Sequence, residues 1–224
     1  MYKIETHLHV SEVSPCAKLT AAEMIKLYHE AGYSTVFVSD HYKKVYFDKL
    51  GELPWEEKTE RFLSGYRKAK EAGDACGITV LQAAELAFVD TPNHYLIYGI
   101  SKEFLNKYPN LSEKSVEEFY EIAKENNLLV IQAHPYREPN NFPTLHCVDG
   151  VEIYNSNPRH DDHCDKAEQL CEGKALYITG GSDAHRVEDV GKAGILSETP
   201  IHTVEEFISL IKSGKAQIFK GGIV

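Results

Sequence analysis

The sequence predicts an α/β fold in which repeated strand–helix units close into a barrel. Two observations lead there. Short apolar, β-prone runs alternate with capped helical segments along all 224 residues, the pattern of βα units and a mainly parallel sheet. Imidazole or carboxylate groups also follow run after run, at His7-Leu8-His9, Asp40-His41, Gln132-Ala133-His134-Pro135 and Ser182-Asp183-Ala184-His185. A barrel brings every strand's C-terminal end to one face, whereas an open sheet gathers its site near one switch point.

The elements follow in order. Lys3 to His9 alternates as a strand, and Thr20-Ala-Ala-Glu23 is a capping box that opens a helix to Glu30, stopped by Gly32. Ser34 to Ser39 is a β-branched and aromatic strand ending at Asp40-His41. Pro54 to Ala72 reads as one long helix with proline in its first turn, Gly77 to Glu85 as a strand, and His94 to Ile100 as another. Ser115-Val-Glu-Glu118 caps a helix to about Asn126, and Leu128 to Gln132 is the strand before His134. Gly150 to Tyr154, a helix over Asp161 to Cys171, and Ala175 to Thr179 continue the alternation. Thr203-Val-Glu-Glu206 caps the last helix, and Ala216 to Phe219 forms a final strand.

No repeat, linker or low-complexity tract divides the chain, so residues 1–224 read as a single domain. Hydrophobic residues make up 42% and charged residues 26%, an ordinary globular balance. No apolar run approaches the roughly 20 residues that span a bilayer, and the expected location is the cytoplasm. The cysteines Cys16, Cys76, Cys147, Cys164 and Cys171 are odd in number and lack a Cys-x-x-Cys pair, which argues against a disulfide framework. A formal net charge of -10 without a Lys/Arg run disfavours nucleic acid as a partner. It leaves room for a small anionic substrate, because bound divalent ions reverse the local field.

Alternate strand residues share a face, so His7 and His9 can hold one metal ion. The candidate ligands are His7, His9, His41 and Glu85, then His94, His134, Asp183 and His185, with Glu12 a weaker ninth. Any one of these is an ordinary core or surface side chain. Their recurrence after apolar strands is the signal.

In this order the motifs resemble the PHP (polymerase and histidinol phosphatase) family, from His7 to at least His185. The resemblance implies a distorted (β/α)7 barrel, two to three divalent ions (zinc, manganese or iron), and hydrolysis of phosphate esters. It places His7, His9, Glu85 and Asp183 on one metal. A bridging Glu85 joins His94 and His134 on a second, and His41 and His185 hold the third. The family usually completes the third site with an Asp or His shortly after His-x-His; here Glu12 or the thiolate of Cys16 takes that place. Such a centre binds the phosphate oxygens and lowers the pKa of a bound water. Glu85 and His185 are then catalytic, with Asp40 orienting His41 or acting on a proton. Arg137 and Arg159 offer planar forks to a phosphate. Short loops and Tyr42, Tyr46 and Tyr136 suggest an accessible mouth for a small phosphorylated substrate, whether histidinol phosphate, a nucleotide, a cyclic phosphate or another ester. Two other readings are an amidohydrolase, which typically bridges its metals with a carbamylated lysine where this chain has Glu85, and a non-catalytic metal-binding module.

Overall fold

The computed structural model describes residues 1–221. β1 (Tyr2–Leu8), α1 (Ala21–Glu30) and β2 (Tyr33–Val38) come first. The two-residue β3 (His41–Tyr42), α2 (Lys44–Lys49), α3 (Trp55–Phe62) and α4 (Ser64–Cys76) lead to β4 (Thr79–Ala87) and β5 (His94–Tyr98). Then come α5 (Lys102–Lys107), α6 (Val116–Glu125), β6 (Leu129–Gln132), β7 (Gly150–Asn155), α7 (Cys164–Cys171) and β8 (Tyr177–Gly181). β9 (Ala193–Ser197), α8 (Val204–Lys212) and β10 (Gln217–Lys220) complete the chain.

The capping boxes at Thr20/Glu23, Ser115/Glu118 and Thr203/Glu206 all form, each side chain answering a free N–H in the first helical turn. The expected long helix from Pro54 is instead two helices, α3 and α4, which meet at Leu63. Gly77 does not start the next strand: it sits at φ +84° as the left-handed cap of α4. The helices α2 and α5 and the strand β9 lie outside the sequence expectation, being short or formed only by pairing.

The sheet runs β10-β9-β1-β2-β4-β5-β6-β7-β8, with β3 paired to β4. It is not parallel throughout. β5 is antiparallel to both β4 and β6, and β9 is antiparallel to β1 and β10. Only residues 88–93 join β4 to β5, and a parallel crossover needs about a dozen or more. The short connection therefore turns the chain back, which puts the first residue of β5, His94, where its neighbours place their last. Ala87 and His94 are register partners.

The ring nearly closes between β8 and β1. Leu8 and Ala184 form a parallel bridge, and Thr6 Oγ1 donates to the Gly180 carbonyl at 3.0 Å. A Cβ on Gly181 would lie 2.5 Å from His7 Cβ, so glycine is what lets these strands approach. At the base, Phe207 of α8 plugs the barrel, 4.4 Å from the ring centroid of Phe37 and 4.7 Å from that of Tyr98. Burial of an aromatic side chain of this size is worth about 1.5–3 kcal/mol. Tyr42 packs between Phe47 and Phe62, Tyr46 joins that cluster, and Tyr136 packs near β7 and α7. None of the three lines the mouth, which corrects the expected aromatic rim. The loops are not uniformly short either: residues 133–149 separate β6 from β7. No helix among the described residues is long and apolar enough to cross a membrane.

Candidate metal centre

Eight of the nine candidate ligands converge at the C-terminal end of the barrel. β1 carries His7, with His9 just beyond its end. His41 on β3 is the register partner of Glu85 on β4. His134 and Asp183 follow β6 and β8 and adopt φ values of +30° and +50°. This is backbone that a side-chain-bearing residue rarely takes, stored where it re-aims a functional group.

Glu85 is the hub. Its Oε1 lies 2.9 Å from His94 Nδ1, 3.0 Å from His134 Nε2 and 3.5 Å from His7 Nε2. Its Oε2 is 3.7 Å from His9 Nε2 and touches His41 Nδ1. Asp183 Oδ1 lies 3.2 Å from His9 Nε2 and 3.5 Å from His7 Nε2. Four overlapping groups of potential ligand atoms result: His7-His9-Glu85, His7-His134-Asp183, His41-Glu85-His94 and His9-His41-His185.

The surroundings hold each ring in one orientation. His7 Nδ1 donates to Glu152 Oε1 at 2.9 Å, and His185 Nδ1 to the Asp183 carbonyl at 2.8 Å. Behind His9, Ser14 Oγ lies 3.5 Å from Nδ1 and donates to Asp40 Oδ1 at 2.7 Å. These partners suit a proton on Nδ1 in all three rings, the tautomer in which Nε2 is the atom turned to the centre for metal ligation. The Nε2 atoms of His7 and His9 are 3.1 Å apart, close enough to share one proton or, once it is lost, to face the same cation.

The electrostatics agree. Burial holds the His134 pKa down near 3, helped by the Arg137 charge, and burial holds His41 near 4. Burial likewise pushes His9 well below its usual value. For Glu85, burial acts upward but the facing His94 and His41 overcome it, and the net direction is down. Asp183 behaves the same way through His7 and Arg137. Neutral His9, His41 and His134 beside ionised carboxylates match the protonation state that divalent ions bind. For His7 burial acts downward but Glu152 and Asp183 overcome it, so this ring must give up a proton when an ion binds. Glu85 Oε2 and Asp183 Oδ1 are buried without a hydrogen-bond partner among the described residues, which is costly unless a cation answers them.

Several sequence expectations change. Glu12 is not brought to the cluster: its Oε2 accepts from Ala21 N at the start of α1 at 3.0 Å, and Lys68 lies 3.7 Å from Oε1. A free helical N–H draws the carboxylate there. Cys16 lines the rim of the mouth but joins no ligand group. His9 takes the place left open beside His41 and His185, since one imidazole stands within reach of two groups. Asp40 supports His9 through Ser14 instead of orienting His41, and it does not line the cavity. Arg137 and Arg159 line the mouth, yet both forks face carboxylates. Arg137 holds Asp162 at 2.6 Å and Asp183 Oδ2 at 2.7 Å, and Arg159 grips Asp189 at 2.8 and 2.7 Å.

Sequence reasoning missed Glu152, Asn157, Asp189 and Glu5. Asn157 donates to the Asp183 carbonyl, and Asp189 accepts from His185 N. Glu5 accepts from His7 N and Ser182 N, with its pKa pushed up to about 7 by burial. Carboxylates inside apolar strands at Glu5 and Glu152 were the available signal. Above the cluster, a cavity of about 380 Å³ is bordered by the cations Lys43, Arg137, Arg159 and Arg186.

A family model described as PHP-associated matches residues 161–216. A Bacteroides vulgatus two-domain protein containing a predicted PHP-like metal-dependent phosphoesterase superposes with a TM-score of 0.69 at 15% identity, over 98% of this chain and 65% of that one. The chain shares that protein's fold. The same fold aligns with an amidohydrolase from Chromobacterium violaceum (TM-score 0.58, 14% identity, 98% of each chain). It also aligns with a lesion-specific endonuclease from Pyrococcus furiosus (TM-score 0.61, 16% identity), over 97% of this chain and 57% of the endonuclease. The chain thus spans under two thirds of the Bacteroides and Pyrococcus proteins. No curated protein matches the sequence.

Proposed function

We propose that the protein is a metal-dependent phosphoesterase acting on a small phosphorylated molecule, the whole chain forming one catalytic domain. The observation that carries this reading is the ring of imidazoles around two buried carboxylate oxygens that have no hydrogen-bond partner among the described residues, set beneath a mouth that Lys43 borders. His7, His9, His41, Glu85, His94, His134, Asp183 and His185 would hold two or three divalent ions of the zinc, manganese or iron type, with Glu85 shared between sites. Such ions supply an activated water and neutralise charge on the phosphate.

The chain's own groups do the rest. Lys43 has no ion-pair partner among the described residues and would draw an anionic group into the cavity, whereas the forks of Arg137 and Arg159 are taken up by Asp162, Asp183 and Asp189. Arg137 keeps Asp183 Oδ2 occupied, so that Oδ1 points at His7 and His9. Glu152 and the Ser14–Asp40 pair hold the Nδ1 protons of His7 and His9 and keep both rings aimed. His185 lines the cavity, where it would face a bound substrate. The enzyme belongs in the cytoplasm on this reading, where its free cysteines stay reduced.

A nuclease reading draws on the Pyrococcus neighbour and the same mouth with Lys43 at its border, against an overall charge of -10. One experiment separates the two. Metal-stripped protein is reloaded with zinc, manganese or iron and offered phosphomonoesters, phosphodiesters and duplex DNA carrying an abasic lesion. Turnover of a small ester alone supports the proposal. Cleavage of the duplex without small-ester turnover replaces it with the nuclease, and no turnover with any metal sinks both.

A further inference from the structure

None of the residues at the mouth is a thiol ligand, but on the barrel's flank a thiol, an imidazole and a carboxylate meet. Glu117 stands in the first turn of α6. His146 and Cys147 lie in the 3-10 turn Leu145–Cys147, near the end of the segment joining β6 to β7. One ligand atom from each lies within 4.8 Å of the other two, and none of the three lines the catalytic cavity. His146 Nε2 is 3.0 Å from Glu117 Oε1. Cys147 is a free thiol, only 4% exposed, with no disulfide partner.

We infer that Glu117, His146 and Cys147 form a separate divalent-metal site of zinc-like chemistry, which fastens the β6–β7 connection to α6. Sulfur, nitrogen and oxygen donors together suit zinc or a similarly soft ion, whereas the four ligand groups at the mouth hold only nitrogen and oxygen. Zinc bonds of about 2.0–2.3 Å set tetrahedral ligand atoms roughly 3.5 Å apart. Cys147, held by the apolar cluster beneath it, is the fixed point. The side chains of His146 and Glu117 are 66% and 61% exposed and free to turn onto an ion beside it. Binding exchanges the thiol proton for the ion, with no change of oxidation state. Water fills the remaining position, or Glu121 does, one turn farther along α6.

The site has a structural consequence for the mouth. The connection it would fasten carries His134, Arg137 and Asn141, and Asn141 Nδ2 lies 3.1 Å from His134 Nδ1. An ion on the flank thus steadies the segment from which a mouth ligand projects.

The full chain, stripped and titrated with cobalt(II), tests this. A thiolate-to-cobalt charge-transfer band cannot come from nitrogen and oxygen ligands, so it reports this site apart from the mouth. The expected result is a band whose final intensity, once the mouth is also filled, corresponds to one thiolate-bound cobalt per chain, and which disappears in Cys147→Ser and survives in Cys16→Ser. His146→Ala and Glu117→Ala, both at exposed positions that leave the fold intact, should move the midpoint at least tenfold to higher cobalt. No band in the parent protein overturns the inference, as does a band lost in Cys16→Ser instead. If Cys147→Ser fails to fold, His146→Ala decides: an unmoved midpoint overturns the site.

Discussion

At the base of the barrel Ile4, Leu96 and Phe207 are fully buried among apolar neighbours, and three residues farther along β1 His7 is just as buried among carboxylates and imidazoles. The same strands thus build two interiors with opposite chemistry. At the base every side chain gains from its neighbours in the chain as it stands. At the mouth, desolvated charges and imidazole nitrogens face one another, and two ligands sit on strained backbone. Groups of that kind cost stability until an ion arrives, so the base carries the fold and the mouth carries the chemistry.

Substitutions at the two ends should therefore separate activity from stability. Glu85→Gln is expected to lower turnover at least about a thousandfold, ~4 kcal/mol in the barrier, while thermal unfolding of the metal-free protein barely shifts. Activity within tenfold of the parent would show that Glu85 is not the shared ligand. Phe207→Ala should do the reverse, removing about 3–5 kcal/mol of stability with little loss of turnover per folded molecule. Chemical denaturation alongside kinetics checks both halves of that contrast.

Smaller effects sharpen the comparison. Glu152→Ala, which frees His7 Nδ1, should weaken metal binding about 10–100-fold without removing a ligand, read by competition with a coloured chelator. Stability is expected to fall after chelation of the parent protein and to recover with added metal, because binding to the folded state alone stabilises it. Recovery absent in the parent would argue that the mouth holds no ion. Last, Glu12→Ala should leave metal content unchanged and cost only about 0.3–1 kcal/mol, the worth of a carboxylate at a helix N-terminus. Loss of one metal equivalent would return Glu12 to the ligand set.

Much of this molecule is legible in local pattern. The three capping boxes, the strand preceding each histidine motif and the grouping of those motifs at one end all follow from periodicity of 3.6 or 2 and from hydrogen-bonding needs that neighbours in sequence meet. Other features are not local. The paired helices α3 and α4 look like one run because the break at Leu63 involves neither glycine nor proline. Glu152 stands out locally only as a carboxylate in an apolar strand, and its role is not legible because its partner His7 lies 145 positions away.

What the sequence by itself determined is the inventory: which side chains end the strands, how the helices start, and that imidazole and carboxylate outnumber any packing need at one face. The tertiary structure decided how they divide. The short link between β4 and β5 reversed β5 and so delivered His94 to the mouth, and the approach of β8 to β1 across Gly181 set Asp183 against His7 and His9. Barrel curvature brought His9 beside His41 and His185, while an unfilled N–H at the head of α1 took Glu12 away. Local propensity depends on neighbours along the chain, but ligand sets depend on distances across it, and those exist only once the strands have closed into a ring.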